Sequence, residues 1–306
     1  MYYKYRNTSE WTEKIIIEKE IWLAKPETLN DPFECNPTEF LERDSELFKK
    51  NIMKSQIAGF IHHALNCHKN MQNFYDAKGR EIKILLNRIK KQKGNIERQY
   101  RIINDFLEIK EATKLTSPSS QLNSQKKMLE NLGVFSVSED PLNSLMWAHY
   151  ANNHTGIVLG FDIQDFENSC FKKVNYIEVL PEIDLSKGLM NGINYYLVQG
   201  KMIAEPFIQM EDPQIQNIIF TKTIEWQYEK EWRFITKQFG KHLFPGKLKQ
   251  LIFGMKCPES EIIKYIRICD EYYMDTIQFF IVQRCNKTKG KMLLKQISQD
   301  QLYSKA

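Results

Sequence analysis

No Cys-x-x-Cys pair occurs in this chain, although it has six cysteines. Cys35, Cys67, Cys170, Cys257, Cys269 and Cys285 are scattered, which argues against a zinc ribbon and against a disulfide framework. They read as reduced thiols, mostly in the core, of a cytoplasmic protein. A Gly-rich phosphate loop and a Gly-x-Ser-x-Gly elbow are also missing, which argues against P-loop, Rossmann and α/β-hydrolase chemistry. No run of about 18 apolar residues exists, so no membrane span or membrane partner is expected. The start, Met1-Tyr2-Tyr3-Lys4-Tyr5-Arg6, does not read as a signal peptide, and no internal repeat is visible. Charge of one sign is not in large excess. A net +5 over 306 residues permits an anionic ligand without calling for nucleic acid.

What is present suffices for one large domain, with 42% hydrophobic and 12% aromatic residues to build a core. Residues 2–6 read as a short strand. Ser9 offers a helix N-cap, with Glu10 and Glu13 in the first turn and Trp11, Ile15 and Ile16 as the apolar stripe. Residues 21–24 form a second strand, stopped by Pro26 and the turn Asn30-Asp31-Pro32-Phe33-Glu34. Residues 40–112 carry a helical pattern that Gly79 and Gly94 divide into three helices, and residues 116–120 read as a loop. From Gly133 the texture becomes mixed. Strands are expected at 134–138, 156–161, 171–179, 248–254, 277–284 and 291–297. Helices are expected at 144–150, 183–202 and from Pro258 to about Tyr273, while 215–222 fits either type. The fold class is α+β: a single domain over 1–306, with a mixed, mainly antiparallel central sheet, flanking helices and a helical insertion at 40–130.

The densest chemistry lies in Trp226-Gln227-Tyr228-Glu229-Lys230-Glu231-Trp232-Arg233. Its alternation predicts a strand, and side chains two apart in a strand share a face. Glu229 and Glu231 would then face the same way, with Arg233 beside them and Lys222 just upstream. Either the carboxylates line a site or they form a solvated edge with weak ion pairs; the two Trp and one Tyr favour a pocket. In the Asn30–Glu34 turn, Asp31 could bind a hydroxyl or a cation, or Asn30 and Asp31 could cap the backbone while Phe33 anchors the loop. Trp147, His149, Tyr150 and His154 form a third cluster. The two histidines are five apart rather than the four that places two metal ligands on one helix face, so a His-His-Asp metal site is only weakly signalled and the leading reading expects no metal.

Four stretches together resemble the bacterial domain-of-unknown-function family 2971: Tyr3-Lys4-Tyr5-Arg6; Trp22-Leu23-Ala24-Lys25-Pro26 with Leu29 to Glu34; Phe135-Ser136-Val137-Ser138 with Met146 to Tyr150, His154-Thr155-Gly156 and Leu159 to Asp162; and Lys222 with Trp226 to Arg233. More distantly, the order of strand, helix, strand and polar turn, with a late Glu-x-Glu, is similar to ADP-ribosyltransferases. That likeness implies NAD as substrate. Arg6 falls on the first-strand position that helps to hold NAD, Glu231 on the catalytic Glu and Glu229 on the first Glu of the pair. Ser136, Ser138 and Tyr150 all remain open for the middle position. Tyr5, Asn30, Asp31, Phe33, Trp147, His149, His154, Lys222, Trp226, Tyr228 and Arg233 would complete a nucleotide-sized site, with a protein or nucleic-acid target beyond it.

Three functions are compatible with these residues. One is an NAD-consuming transferase or glycohydrolase in bacterial anti-phage defence or toxin action. A second is a metal-dependent nuclease or hydrolase using Asp31, Glu34, His149, His154 and Glu231. The third is a non-catalytic sensor or interaction module.

Overall fold

The computed structural model describes residues 1–163, 170–184, 187, 189, 191–198, 201–273 and 276–297. Along the chain run β1 (Tyr2–Arg6), α1 (Glu10–Glu18), β2 (Glu20–Leu23), a 3-10 turn (Pro26–Thr28), α2 (Pro37–Arg43), α3 (Ser45–Lys69), α4 (Gly79–Lys90), α5 (Ile96–Ile109), α6 (Pro118–Glu130), β3 (Gly133–Ser138), α7 (Ser144–Tyr150), β4 (Ile157–Asp162), β5 (Phe171–Lys173) and β6 (Asn175–Ile177). There follow β7 (Asn191–Val198), β8 (Lys201–Ile208), α8 (Pro213–Ile219), β9 (Thr221–Thr223), a second 3-10 helix (Ile224–Glu229), β10 (Glu231–Thr236), β11 (Gly240–Leu243), β12 (Lys247–Phe253), α9 (Glu259–Tyr273), β13 (Gln278–Arg284) and β14 (Met292–Gln296). The fold is α+β, with a large, mostly antiparallel sheet and flanking helices. Two compact units divide the chain: Met1–Asn36, Asn131–Pro181 and Ile218–Ala306 form the first, Pro37–Glu130 and Glu182–Asn217 the second.

The first unit is built on an eight-stranded sheet in the order β14-β13-β12-β4-β1-β3-β10-β5. β12 and β13 run parallel and the other neighbours antiparallel. Alternation along β4 fills both faces. Ile157, Leu159 and Phe161 join a core with Ile15 and Ile16 of α1 and Ile262, Tyr265 and Ile266 of α9. Val158 turns the other way, to Tyr5 and to Met146 and Trp147 of α7. Ser9 caps α1 as its sequence predicts, its side chain accepting from Thr12 N. Gly156 opens β4 where the Arg6 and Ala151 carbonyls stand so close that a Cβ would collide with both.

The sheet is split at its middle. β1 and β4 register at five positions, and β3 and β10 at six. β1 and β3 register at one, Tyr3 opposite Ser138. At its far end β3 instead bridges Ala24 through Val134. Between these two ends the edge of β3 around Ser136 faces a gap rather than a partner strand, and the chain from Pro26 to Glu34 passes beside it.

The second unit contains α2 to α6 and the β7–β8 hairpin. Ile82, Leu85 and Ile89 of α4 pack with Ile102, Ile103 and Leu107 of α5 and with Phe60 of α3. Three expectations need correction here. Residues 40–112 hold four helices rather than three, because an additional break falls at Asp44, between α2 and α3, where the backbone leaves the helical region without glycine; the break before Gly79 spans Asn70 to Lys78, where Met71, Tyr75 and Asp76 take left-handed backbone. Residues 116–120 are not wholly a loop: Pro118 opens α6, and the Ser117 hydroxyl accepts from Ser120 N at 3.1 Å. Proline at the first helical position costs nothing, since its missing N–H has no partner there anyway. Residues 183–202 contain no α-helix in the described part. Asn191–Val198 and Lys201–Ile208 pair as a hairpin, in keeping with Ile193, Tyr195, Tyr196 and Val198, types that favour strands; residues 185–186, 188, 190 and 199–200 of that stretch lie outside the described residues. In the first unit, residues 171–179 form two short strands rather than one. β5 pairs β10, and β6 pairs β9 in parallel.

Candidate functional site

The Glu-x-Glu segment is not a continuous strand. Ile224–Glu229 winds as a 3-10 helix, and Lys230 turns it into β10 with left-handed backbone, φ 47°. Three distant side chains and groups clamp this turn. Ser138 Oγ donates to the Glu229 carbonyl at 2.6 Å, Asn143 Nδ2 to the Tyr228 carbonyl at 2.7 Å, and Glu139 N to the Lys230 carbonyl at 3.1 Å. These partners sit 85 to 91 residues upstream, beyond what local alternation can report. The turn nevertheless brings both carboxylates inward: Glu229 and Glu231 are each 4% exposed.

Around them lies a buried ionic network. Lys222 Nζ sits 2.7 Å from Glu229 Oε2, 3.2 Å from Glu34 Oε1 and 3.7 Å from Glu231 Oε2. Arg233, fully buried, grips Glu231 with two bonds, Nε to Oε1 at 2.8 Å and an NH2 group to Oε2 at 3.0 Å. The same guanidinium donates to Glu34 and, at 2.7 Å, to the Ile219 carbonyl. Such paired, hydrogen-bonded geometry is what makes buried charge tolerable. The Trp226 ring lies 4.4 Å from Lys222 Nζ, a cation–π contact.

The charges tune one another. Burial alone would push the Glu231 carboxyl up, but Arg233, Lys222 and the Ser136 hydroxyl hold it well below the usual carboxylate range. Glu34 moves the other way, because burial and the Glu231 charge outweigh Arg233 and Lys222. Lys222 is held charged: its three carboxylates overcome burial. Three carboxylates therefore share two cations, with the Glu34 carboxyl pushed up and the Glu231 carboxyl held down.

The network forms one wall of a cavity of about 260 Å³ in the gap between β1 and β3. Other walls come from Tyr3, Lys4, Tyr5, Asn30, Ser136 and Tyr150, with Thr28, Leu29, Val137, Ser138 and Met146 around them. A relay crosses it: Asn30 Nδ2 donates to the Tyr150 hydroxyl at 2.6 Å, which donates to Glu229 Oε1 at 2.6 Å. Burial and the Glu229 carboxylate drive the Tyr150 phenol upward, so it keeps its proton. Lys4 Nζ spans the gap to the Ser136 carbonyl, 2.8 Å away.

Of the residues singled out by sequence, Tyr5, Asn30, Ser136, Ser138, Tyr150, Lys222, Glu229 and Glu231 line this cavity. Arg233 and Trp226 stand behind its charged wall. Tyr228 packs on Trp226, ring centroids 6.1 Å apart. Asp31 is buried and accepts from Phe33 N at 3.0 Å, an Asx turn; Phe33 itself is 76% exposed. Trp147 is core, its indole N–H bonded to the Pro141 carbonyl at 2.8 Å, and His154 stacks on it at 6.0 Å. His149 is exposed. Arg6 lies two residues beyond Lys4 on the same face of β1, outside the lining.

Lys4, Tyr3 and Glu34 are the charged or aromatic lining residues that sequence reasoning did not place in a nucleotide site; Thr28, Leu29, Val137 and Met146 complete that set. Lys4 could have been found from its strand spacing to Arg6, and Glu34 from a buried turn that ends in a carboxylate. Among the described residues no group of three or more His, Cys, Asp or Glu is arranged to hold a metal ion, and no helix is long and apolar enough to cross a membrane.

Residues 146–234 match a family described as "Protein of unknown function (DUF2971)". This stretch carries Tyr150, Lys222, Glu229, Glu231 and Arg233, and the match supports the likeness to that unknown-function family. No curated protein and no solved structure is significantly similar to the chain.

Proposed function

We propose that the cavity binds the ribosyl end of a nucleotide of the NAD type and cleaves its N-glycosidic bond, either to water or to an acceptor group. The observation that supports this reading is the Glu231 carboxylate, kept ionised in a buried wall of the β1–β3 cavity beside Glu229 and the Ser136 hydroxyl. Breaking an N-ribosyl bond builds positive charge on the sugar. A fixed carboxylate in a site shielded from water stabilises that charge more in the transition state than in the ground state. Asn30 and Ser136 offer hydrogen bonds to ribose hydroxyls, and Tyr150 fixes Glu229. The volume lies just under the range of about 300–1,000 Å³ usual for ligand pockets, so it suits the sugar and base of a dinucleotide rather than the whole molecule. NAD depletion of this kind would suit a defence or toxin role.

The metal-hydrolase reading gains less support. The point on which Glu34, Glu229 and Glu231 converge is filled by the Lys222 ammonium, which takes the place a metal ion would occupy.

Incubation of the purified protein with NAD tests the proposal by the release of nicotinamide. Glu229→Gln and Glu231→Gln should each slow release by about 10²–10³, the scale for removing one electrostatic contributor from a reacting site. Release no faster than in buffer, with NAD bound, would replace the enzyme with a sensor. Turnover untouched by both substitutions would place the chemistry elsewhere.

A further inference from the structure

Two lysines line the same cavity in opposite surroundings. Lys222 touches three carboxylates. Lys4 touches none: among the described residues its amine has the Ser136 carbonyl as acceptor and no carboxylate at ion-pair distance. The Phe135 ring lies 5.0 Å from its nitrogen. On its own strand Arg6 adds a like charge. Across the gap, β10 presents Glu231 and the turn before it presents Glu229. Burial and Arg6 outweigh these two carboxylates, and the amine is pushed down to about 7.

We propose that Lys4 is a nucleophilic amine that forms a reversible imine with a small hydroxylated aldehyde held in the cavity, such as the open-chain form of a sugar. The nitrogen lone pair adds to the aldehyde carbon. A C–N bond forms, the carbonyl π pair moves to oxygen, and that oxygen takes up the proton released by nitrogen. The carbinolamine then loses water to give the imine, and water reverses the sequence with no oxidant or reductant. The geometry favours this chemistry because the amine is fixed at a cavity wall by one carbonyl, so a lone pair is free once the proton is lost. The Asn30 amide and the Ser136 hydroxyl stand at the same walls to hold the hydroxyls of the aldehyde. The ribose reading above bears on which sugar enters; the reactivity of Lys4 does not depend on it.

Glycolaldehyde with sodium cyanoborohydride tests the proposal on the intact protein, because the hydride converts any imine into a stable secondary amine that peptide mass mapping can place. At pH 7 an ordinary lysine, with a pKa near 10.4, has about one amine in a few thousand unprotonated, whereas Lys4 has about half. That ratio is about a thousandfold; the weaker nucleophilicity of a less basic amine takes back about tenfold, so Lys4 should be modified about a hundredfold faster than the exposed lysines, with the advantage shrinking as the pH approaches 10. Lys4→Arg should remove that modification and leave the pattern on other peptides unchanged. Modification of wild-type Lys4 at the common rate, or with the pH profile of exposed lysines, would overturn the proposal. The probe contains no nucleotide, so failure of the NAD assay and failure of this one are separate results.

Discussion

Arg233→Met is the substitution that most directly tests the account of the buried network. Methionine keeps the apolar stem of the side chain but removes the guanidinium. Glu231 then loses both of its strong donors, Glu34 loses its bond, and the Ile219 carbonyl is left without this partner. Lys222 alone remains to neutralise three carboxylates. Removing one partner from a buried ion pair costs about 3–5 kcal/mol, and an unsatisfied buried carbonyl adds about 1–3 kcal/mol. Loss of Arg233 would push the Glu34 carboxyl, already raised by burial, further up, and proton uptake there would recover part of this, so about 3–5 kcal/mol is expected in total. That is a large fraction of the 5–15 kcal/mol stability usual for a folded protein. The measurement is urea unfolding followed by tryptophan fluorescence. Trp11, Trp22, Trp147, Trp226 and Trp232 all belong to the first unit, so the signal reports the unit that holds the network. With a slope of about 2–3 kcal/mol per molar urea, the midpoint should fall by more than about 1 M. The double variant Glu231→Leu, Arg233→Met removes the stranded charge together with its partner and should recover at least half of the loss. A single variant within about 1 kcal/mol of wild type, or a double variant worse than the single, would show that the charges are not coupled as described.

Two other perturbations have defined outcomes. Gly156→Ala places a Cβ against the Arg6 and Ala151 carbonyls at the start of β4; with backbone on both sides the strain should cost about 1–3 kcal/mol, and an unchanged thermal midpoint would mean that the close approach does not exist. Lys4 provides a pH signature. Its folded pKa lies below its unfolded one, so between about 7 and 10.4 the unfolded chain binds more protons and stability rises with pH, by at most about 1.4 kcal/mol per unit. Urea midpoints at pH 7 and pH 9 should therefore differ more for wild type than for Lys4→Met, and equal differences would refute the shifted amine.

The elements that the sequence made legible are those with strong local patterns. The capped helix at Ser9, the alternating strand at Val134 to Ser138 and the C-terminal helix with its paired strands all follow from spacing and caps. What escaped depends on partners far away in the chain. The hairpin at 191–208 owes its form to pairing that helical periodicity cannot register. The turn at 224–230 was expected as strand because Trp226, Tyr228 and the two glutamates alternate. In the structure the inward direction of both carboxylates comes from the left-handed Lys230 and its clamps at Ser138, Glu139 and Asn143. Spacing thus put Glu229 and Glu231 together by a route the molecule does not use. Lys222 and Tyr150 could be chosen by residue type beside aromatic neighbours. That Tyr150 would reach Glu229, or Asn30 reach Tyr150, rests on contacts 79 and 120 residues apart. On β1 the sequence reading chose Arg6 and gave Lys4 no role, and only the course of β1 along the gap shows that Lys4 is the one lining the cavity.

The cost of this wall argues that it belongs to a site rather than to the scaffold. Five ionisable side chains, Glu34, Lys222, Glu229, Glu231 and Arg233, are nearly water-free. An apolar cluster of equal volume commonly gives equal or greater stability than such a network, because desolvation offsets most of the mutual attraction. Elsewhere the same sheet is packed with Ile, Leu, Val and Phe on both faces, so the fold has a ready apolar solution. The ionic one appears where β1 and β3 separate, and it borders the cavity that opens there. Stability alone gives no reason for that coincidence. A need for fixed charge at the surface of a ligand does, since side chains locked by one another lose little freedom, and reorganise little, when a charged or polar group enters.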